Sequence, residues 1–301
     1  MAEEIGSKPI DVQTLENIDS FDDLPDVTEL TEEQLYAIRS GDFSSDYIAP
    51  FEWDGASYEK WRSIIDGEVL FAIPDSEADH YYPATAGLGD TIVDENGGDD
   101  LSGSLSWGDA EGIGDTYPDF NGTDEIVRSG INNSVWGSTT ATLAAWFKPE
   151  SSGESRPYGI YVDGVTSAVV FFYDRDGSNT LSAFINDGDG GNNLNLGREE
   201  FVVGFGEWAF ATITFDLSTN EATLYAGLAT DSSITEVDSS TSYDDGTVPD
   251  GDVLAAGADG RSSSGSDHFE GGVDAMEYWA DTVRTESELN DWFNETKEFY
   301  Q

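Results

Sequence analysis

From about His80 onward the chain is a series of short apolar runs broken by Gly, Asn, Asp and Ser. That pattern leaves few architectures open. Runs of this length suit β-strands, and regular turn signals between them argue an antiparallel sandwich or barrel. Strands are expected near 79–83, 101–106, 125–128, 140–148, 158–163, 167–173, 180–185, 207–216, 221–227, 253–256 and 269–279. ATLAAWFKP and WAFATITFDL alternate as strands do, and LSTNEA joins two runs as a hairpin. Helix enters only at the end. TESELNDWFNETKEF opens with a capping box, Thr285 to Glu288, and places Leu289, Trp292 and Phe293 on one face.

Residues 1–77 read differently. TELTEEQLYAIRSGDF (Thr28 to Phe43) has Thr31 as an N-cap, Gln34 three residues on and Gly41 as a stop. Tyr58, Trp61, Ile64 and Ile65 fall at helical spacing in a second short segment. The expectation is a small N-terminal helical segment, 1–77, that is either a subdomain or an anchor to a larger assembly. The all-β unit then covers 78–301, a two-sheet antiparallel jelly roll closed by a C-terminal helix.

Charge bounds the function. The chain has 301 residues, 62 acids and 12 bases, a formal net charge of −50. Residues 1–77 hold 20 acids and 4 bases, and residues 78–301 hold 42 and 8, so the excess is spread along the whole chain. A uniform excess means a surface acidic all over, which repels itself unless salt screens it; the Debye length falls to about 3 Å at 1 M. The reading is a halophilic protein. With no basic stripe to neutralise phosphates, nucleic acid is excluded as a partner. Eight Trp, 16 Phe and 13 Tyr are too many for a disordered polyanion. Without cysteine, disulfides and thiolate metal sites are out, and two histidines, His80 and His268, make a histidine zinc site implausible. No run approaches the roughly 18 apolar residues of a membrane span. MAEEIGSKPIDVQ lacks the basic and apolar parts of a secretory signal, so the expectation is a protein made in the cytoplasm that stays there or leaves by assembly into a particle.

Residues 78–301 resemble a laminin G-like domain of the concanavalin A-like lectin/glucanase superfamily. HYYPATAGLGDTIVDENGGDDLSGSLSW resembles the family's opening strand and loop. DFNGTDEIV resembles its Phe-Asn-Gly-Thr-acid motif, TTATLAAWFKPE its central strand, and EWAFATITFDLSTNEATLYAG its Trp-led hairpin. FEGGVDAMEYW with TESELNDWF resembles the closing strand and helix. The resemblance implies a jelly roll with Trp146, Trp208, Tyr225 and Trp279 in the core; Trp136 in NNSVWGS is a candidate for glycan contact, with a core position as the competing reading. It does not imply one function.

In similar domains a calcium ion can tie the opening loop to the closing strand. Asp94 lies in the matching loop and Asp274 in the matching GGVDAM motif. Calcium takes six to eight oxygens, and DENGGDD offers Asp94, Asn96 and Asp99, although Gly98 departs from the usual loop. The competing reading is a solvated acidic patch, because one residue in five is acidic. YDRDGSNT and NDGDGGNN also look like calcium half-loops, but neither completes an EF-hand pattern, and hairpin turns suit them better. Glycan binding needs exposed rings beside hydrogen-bonding groups; Arg156, Tyr158 and Tyr243 are the candidates.

Glycosidases of this fold often carry Glu-x-Asp-x-x-Glu on one strand. That spacing is missing, as are a nucleophile elbow, a P-loop and a dinucleotide fingerprint. The expected function is therefore non-enzymatic: a virion surface protein of a halophilic archaeal virus, in a tail fibre, spike or capsid appendage. It would be a homo-oligomer that docks other virion proteins through residues 1–77 and binds a host cell-surface glycan or glycoprotein. The alternative is a cellular carbohydrate- or protein-binding module of a haloarchaeon.

Overall fold

A computed structural model describes residues 35–39, 48–53, 58–64, 68–72, 76–83, 90–96, 99–109, 111–113, 116–130, 140–174, 177–186, 194–216, 218–241, 252–262 and 266–301. The chain divides into two units, Met1–Asp75 and Ser76–Gln301.

In the first unit β1 (Leu35–Arg39), β2 (Ile48–Trp53), β3 (Tyr58–Ile64) and β4 (Glu68–Ala72) pair antiparallel in chain order. This corrects the expected N-terminal helices: the described part of each, Leu35–Arg39 and Tyr58–Ile64, is strand. Tyr, Trp and Ile suit strands at least as well as helices. The signal that sequence reading missed is Asp54-Gly55 between β2 and β3 and Asp66-Gly67 between β3 and β4, the dipeptide that favours hairpins.

The second unit is a sandwich of two antiparallel sheets. One runs β15 (Leu194–Val202), β14 (Thr180–Ile185), β13 (Thr166–Tyr173), β12 (Tyr158–Val162), β19 (Val253–Ala256), β10 (Ile126–Arg128), β7 (Leu101–Ser104), β6 (Thr91–Ile92). The other runs β18 (Thr235–Ser240), β17 (Glu221–Leu228), β16 (Ala209–Asp216), β11 (Thr140–Pro149), β20 (Glu270–Ala280), β9 (Thr116–Asn121), β8 (Ser106–Asp109), with β5 (His80–Tyr82) on the far part of β20. Period-two alternation fills the space between them. Ala141, Leu143, Ala145 and Phe147 of β11 meet Ala209, Ala211, Ile213 and Phe215 of β16 in one core with Phe171, Leu181 and Leu254.

The opposite face of β11 and β16 is apolar too, because the C-terminal helix covers it. Helix α1 (Glu286–Thr296) starts at the capping box expected from sequence: Thr285 Oγ1 accepts from Glu288 N, and Glu288 Oε2 accepts from Thr285 N. Such a cap is worth about 1 kcal/mol. Trp146 stacks on Phe293 at 5.5 Å and on Tyr300 at 4.3 Å, and its Nε1 donates to Thr296 Oγ1 at 3.1 Å. Trp146, Trp208 and Trp279 are buried. Tyr225 is only half-buried, since it points away from the inter-sheet core. Trp136 lies outside the described residues.

A bulge at Ala275 (φ 43°) resets β20 so that Val273, Met276 and Tyr278 all face the core. Asp274 and Glu277 are left fully buried outside that core.

Candidate functional site

The loop that follows β6 folds around one carboxylate. Asp94 is buried, and its Oδ1 accepts from Tyr81 N (3.1 Å) and Asn96 N (3.2 Å). Its Oδ2 accepts from Asp99 N (3.1 Å) and lies 2.6 Å from His80 Nδ1. Asn96 Nδ2 donates to the carbonyls of Ser76 and Ala78, both at 2.8 Å, and Tyr82 Oη donates to Asp99 O. The last acid of the loop, Asp100, accepts from Asp94 N at 3.0 Å. The sequence therefore places Asp94, Asn96 and Asp99 together as expected, but as a hydrogen-bonded knot.

That knot does not fit a calcium ion. A carboxylate has about four acceptor positions, and Asp94 already meets four nitrogen groups. Asp274 is held elsewhere: its Oδ2 accepts from Ile113 N and Tyr300 Oη, both at 2.9 Å, and its Oδ1 from Ala275 N at 2.7 Å. Among the described residues no group of three or more Asp, Glu or His is arranged to hold a metal. Of the competing half-loops, Asp174 caps a hairpin, accepting from Gly153 N and Asn179 N; Asp176, Asp187 and Asp189 lie outside the described residues.

Two of the three expected glycan contacts are corrected. The Tyr158 ring is 0 % exposed inside the sandwich, beside Phe171, and its hydroxyl donates to Glu277 O. A sugar cannot reach it. Arg156 is occupied: Nη1 donates to Asp259 Oδ2 (2.6 Å) and Ser167 Oγ (2.8 Å), Nη2 pairs with Asp267, and the guanidinium lies 4.9 Å over the Phe172 ring. It clamps the segment after β19 over the outer face of the first sheet, where Tyr161, Val170, Phe172, Val253 and Ala255 are buried. Gly260 sits so close that a Cβ there would come within 2.5 Å of the Tyr161 ring. Burial works against ionising Asp259, yet the Arg261 and Arg156 guanidiniums hold its carboxyl below the ordinary range. Tyr243 lies outside the described residues.

Among the described residues, the other end of that sheet carries a groove. There β7 and β10 pair with Ser102 opposite Arg128 and Ser104 opposite Ile126. Leu101 and Val127 point into the core, so the period of two turns Ser102, Ser104, Ile126 and Arg128 to the other face. These groups line a groove of about 480 Å³. Because the strands are antiparallel, Asp100 and Asp124, which precede them, enter the groove from opposite ends. The Asp94 knot fixes Asp100. A turn fixes Asp124: Asn121 Nδ2 donates to its Oδ1 at 2.8 Å and Thr123 Oγ1 at 3.2 Å. Those two bonds push the Asp124 carboxyl below the ordinary range, so it stays ionised. Glu125, buried beneath, accepts from Ser106 Oγ and Asn121 N and locks the same turn to the second sheet. Arg128 forms an ion pair with Asp163, and its Nε is buried without a partner.

Sequence reasoning missed Asp100, Ser102, Ser104, Asp124 and Arg128. Two signals were present. Leu-Ser-Gly-Ser alternates one apolar residue with exposed hydroxyls, and Asn-Gly-Thr-Asp is a turn that presents its last side chain.

The family model described as the concanavalin A-like lectin/glucanases superfamily (laminin G type) matches residues 121–290, more than half of the chain. No curated protein matches the chain in sequence. Among solved structures, a native heptameric SAP-like pentraxin from Limulus polyphemus is 12% identical, covering 57% of this chain and 78% of its own, with a TM-score of 0.45. Trypanosoma rangeli sialidase in complex with the inhibitor DANA is 12% identical over 87% of this chain and 44% of its own, with a TM-score of 0.50. An α-L-arabinofuranosidase mutant soaked with 4-nitrophenyl α-L-arabinofuranoside is 12% identical over 82% and 58%, with a TM-score of 0.51. At such identity the likeness is one of fold alone, and this chain spans less than half of the sialidase.

Proposed function

The chain belongs to the concanavalin A-like lectin/glucanases superfamily, and on that premise we propose that it is a non-enzymatic glycan-binding protein whose ligand lies in the β7–β10 groove. The observation that carries this reading is the groove's mixed lining: serine hydroxyls, which donate and accept, between two carboxylates, which only accept. Sugar hydroxyls need such paired partners. Glycoside hydrolysis would need one carboxyl held protonated as a general acid. Asp124 is shifted the opposite way, which argues for holding a sugar rather than cleaving it.

The finer reading is a surface protein of a halophilic archaeal virus, with copies associating and the first unit as its attachment segment. Its support is the acid excess, 62 acids against 12 bases carried by both units, which suits a surface solvated in molar salt. The described strands of the first unit form a single four-stranded sheet, and a single sheet is stabilised when one face packs on another element. The test is binding of the labelled full-length protein to halophilic cell envelopes in molar salt. Saturable binding is expected, lost in Ser104→Trp, which fills the groove from its solvent side. Binding that survives this substitution, or no binding at all, refutes the groove reading. Absence of the chain from purified particles refutes the virion reading.

A further inference from the structure

We infer that the groove selects neutral, hydroxyl-rich sugars and rejects their carboxylate-bearing counterparts. This rests on the glycan-binding reading and adds the ligand's charge class.

Among the described residues that line the groove, Arg128 is the one cation. Arg128 would be the natural reader of an acidic sugar, because a guanidinium fork matches a carboxylate. Here it is committed elsewhere. Nη2 donates to Asp163 Oδ1, and Asp163 is fixed in turn because its own N donates to Asp252 Oδ1 at 2.7 Å. Nε is buried without a partner, and only 16 % of the side chain is exposed. Arg128 lines the groove, but its charge is paired with Asp163.

The two groove carboxylates are not balanced in this way. No basic group lies among the hydrogen-bond partners of Asp100 or Asp124: Asp100 accepts from the amide of Asp94, and Asp124 from Asn121 and Thr123. Both of those side-chain bonds fall on Asp124 Oδ1, so Oδ2 is open to a ligand hydroxyl. A neutral sugar can donate there and exchange hydrogen bonds with Ser102 and Ser104. A uronate or sialate would bring its carboxylate against the two groove carboxylates; among the described residues Arg128 is already paired with Asp163, and the basic group that acts on Asp124 is the His268 imidazole, on a chain of net charge −50. The groove's volume, about 480 Å³, lies in the lower part of the range for small-ligand sites, roughly 300–1,000 Å³. One or two rings would fill it.

The experiment uses the full-length protein in 3 M KCl and matched methyl glycosides that differ only at carbon six: glucoside against glucuronide, galactoside against galacturonide. Saturation-transfer NMR finds the binders and titration ranks them. At least one neutral glycoside is expected to bind at least tenfold more tightly than its acid, a gap of about 1.4 kcal/mol. Lowering the salt to 1 M widens the gap, because screening weakens. Asp124→Asn weakens the neutral sugar and narrows the gap severalfold. Acids that bind as tightly as the neutral glycosides, or more tightly, overturn the inference and leave the glycan reading standing. If no glycoside binds, the glycan reading fails and takes the inference with it. If Asp124→Asn changes neither affinity, the sugar lies elsewhere and the inference is overturned.

Discussion

Replacing Asp94 separates a structural knot from a metal ligand. In Asp94→Ala, Tyr81 N, Asn96 N, Asp99 N and His80 Nδ1 all lose their acceptor. Tyr81 N is in a buried strand, and leaving such a group unmet costs about 1–3 kcal/mol. The two loop amides can turn partly to water, so each adds about 0.5–1 kcal/mol, the net worth of an ordinary hydrogen bond. His80, paired with a carboxylate that is fully buried, adds a further loss of about 1 kcal/mol. The sum is about 3–6 kcal/mol. For a unit of this size each kcal/mol lowers the melting midpoint by about 2–4 °C, so a fall of roughly 6–24 °C is expected. Asp94→Asn keeps one acceptor oxygen and falls by less than half as much. Thermal unfolding followed by tryptophan fluorescence in 3 M KCl reads both. The decisive arm is the wild-type protein with a chelator. A calcium ion bound only by the folded state would add RT ln(1 + [L]/Kd) of stability, and chelation would remove it. The knot predicts no shift. A midpoint that falls with chelator, together with an Asp94→Ala variant within about 0.5 kcal/mol of wild type, would refute the hydrogen-bond account and restore calcium.

Three further predictions concern groups outside the groove. Glu277 is fully buried, and burial pushes its carboxyl well above the ordinary value near 4.5, against the opposing pull of the Ser76 hydroxyl and Arg284. The unfolded chain ionises first, so stability falls as pH rises from about 4.5; Glu277→Gln should flatten that slope in urea titrations run from pH 4 to 8. Asp119 is pushed up to about 6, by burial first and then by the charge of Glu150. Its cost is absent below about 3.8 and complete above about 6. Two units would be worth about 3 kcal/mol, but Asp119 is half-buried, and solvent screening cuts this to about 1 kcal/mol. Asp119→Asn should therefore stabilise by about that amount at pH 7 and not at pH 3.5. Arg156→Ala removes one of the two guanidiniums paired with buried Asp259 and leaves Arg261 in place, so it should destabilise by about 2 kcal/mol, the worth of a hydrogen bond to a charged group. It should also speed proteolysis within residues 257–268 while leaving glycan binding intact.

The sequence carried the sandwich because short apolar runs between turn signals mark strands; β11 and β16 are legible from their alternation, yet the structure buries them on both faces. The same rule explains the failures. In the first unit, Tyr58, Trp61 and Ile64 satisfy a helical period and a strand composition at once, and only the Asp-Gly pairs between the runs could have decided the matter. In the site, residue type was a poor guide because type does not fix direction. Arg156 and Tyr158 are two positions apart on adjoining backbone, yet one is drawn outward over Phe172 by Asp259 and the other inward beside Phe171. A chain with 62 acids offers carboxylates everywhere, so acidity alone cannot mark the few that matter. What distinguishes them is what each accepts from. Asp94 meets four nitrogen groups and has nothing left for a ligand. Asp124, two bonds on one oxygen, has a second oxygen to give. Unspent acceptor capacity, rather than charge, is the property that makes an acid on this protein a binding group.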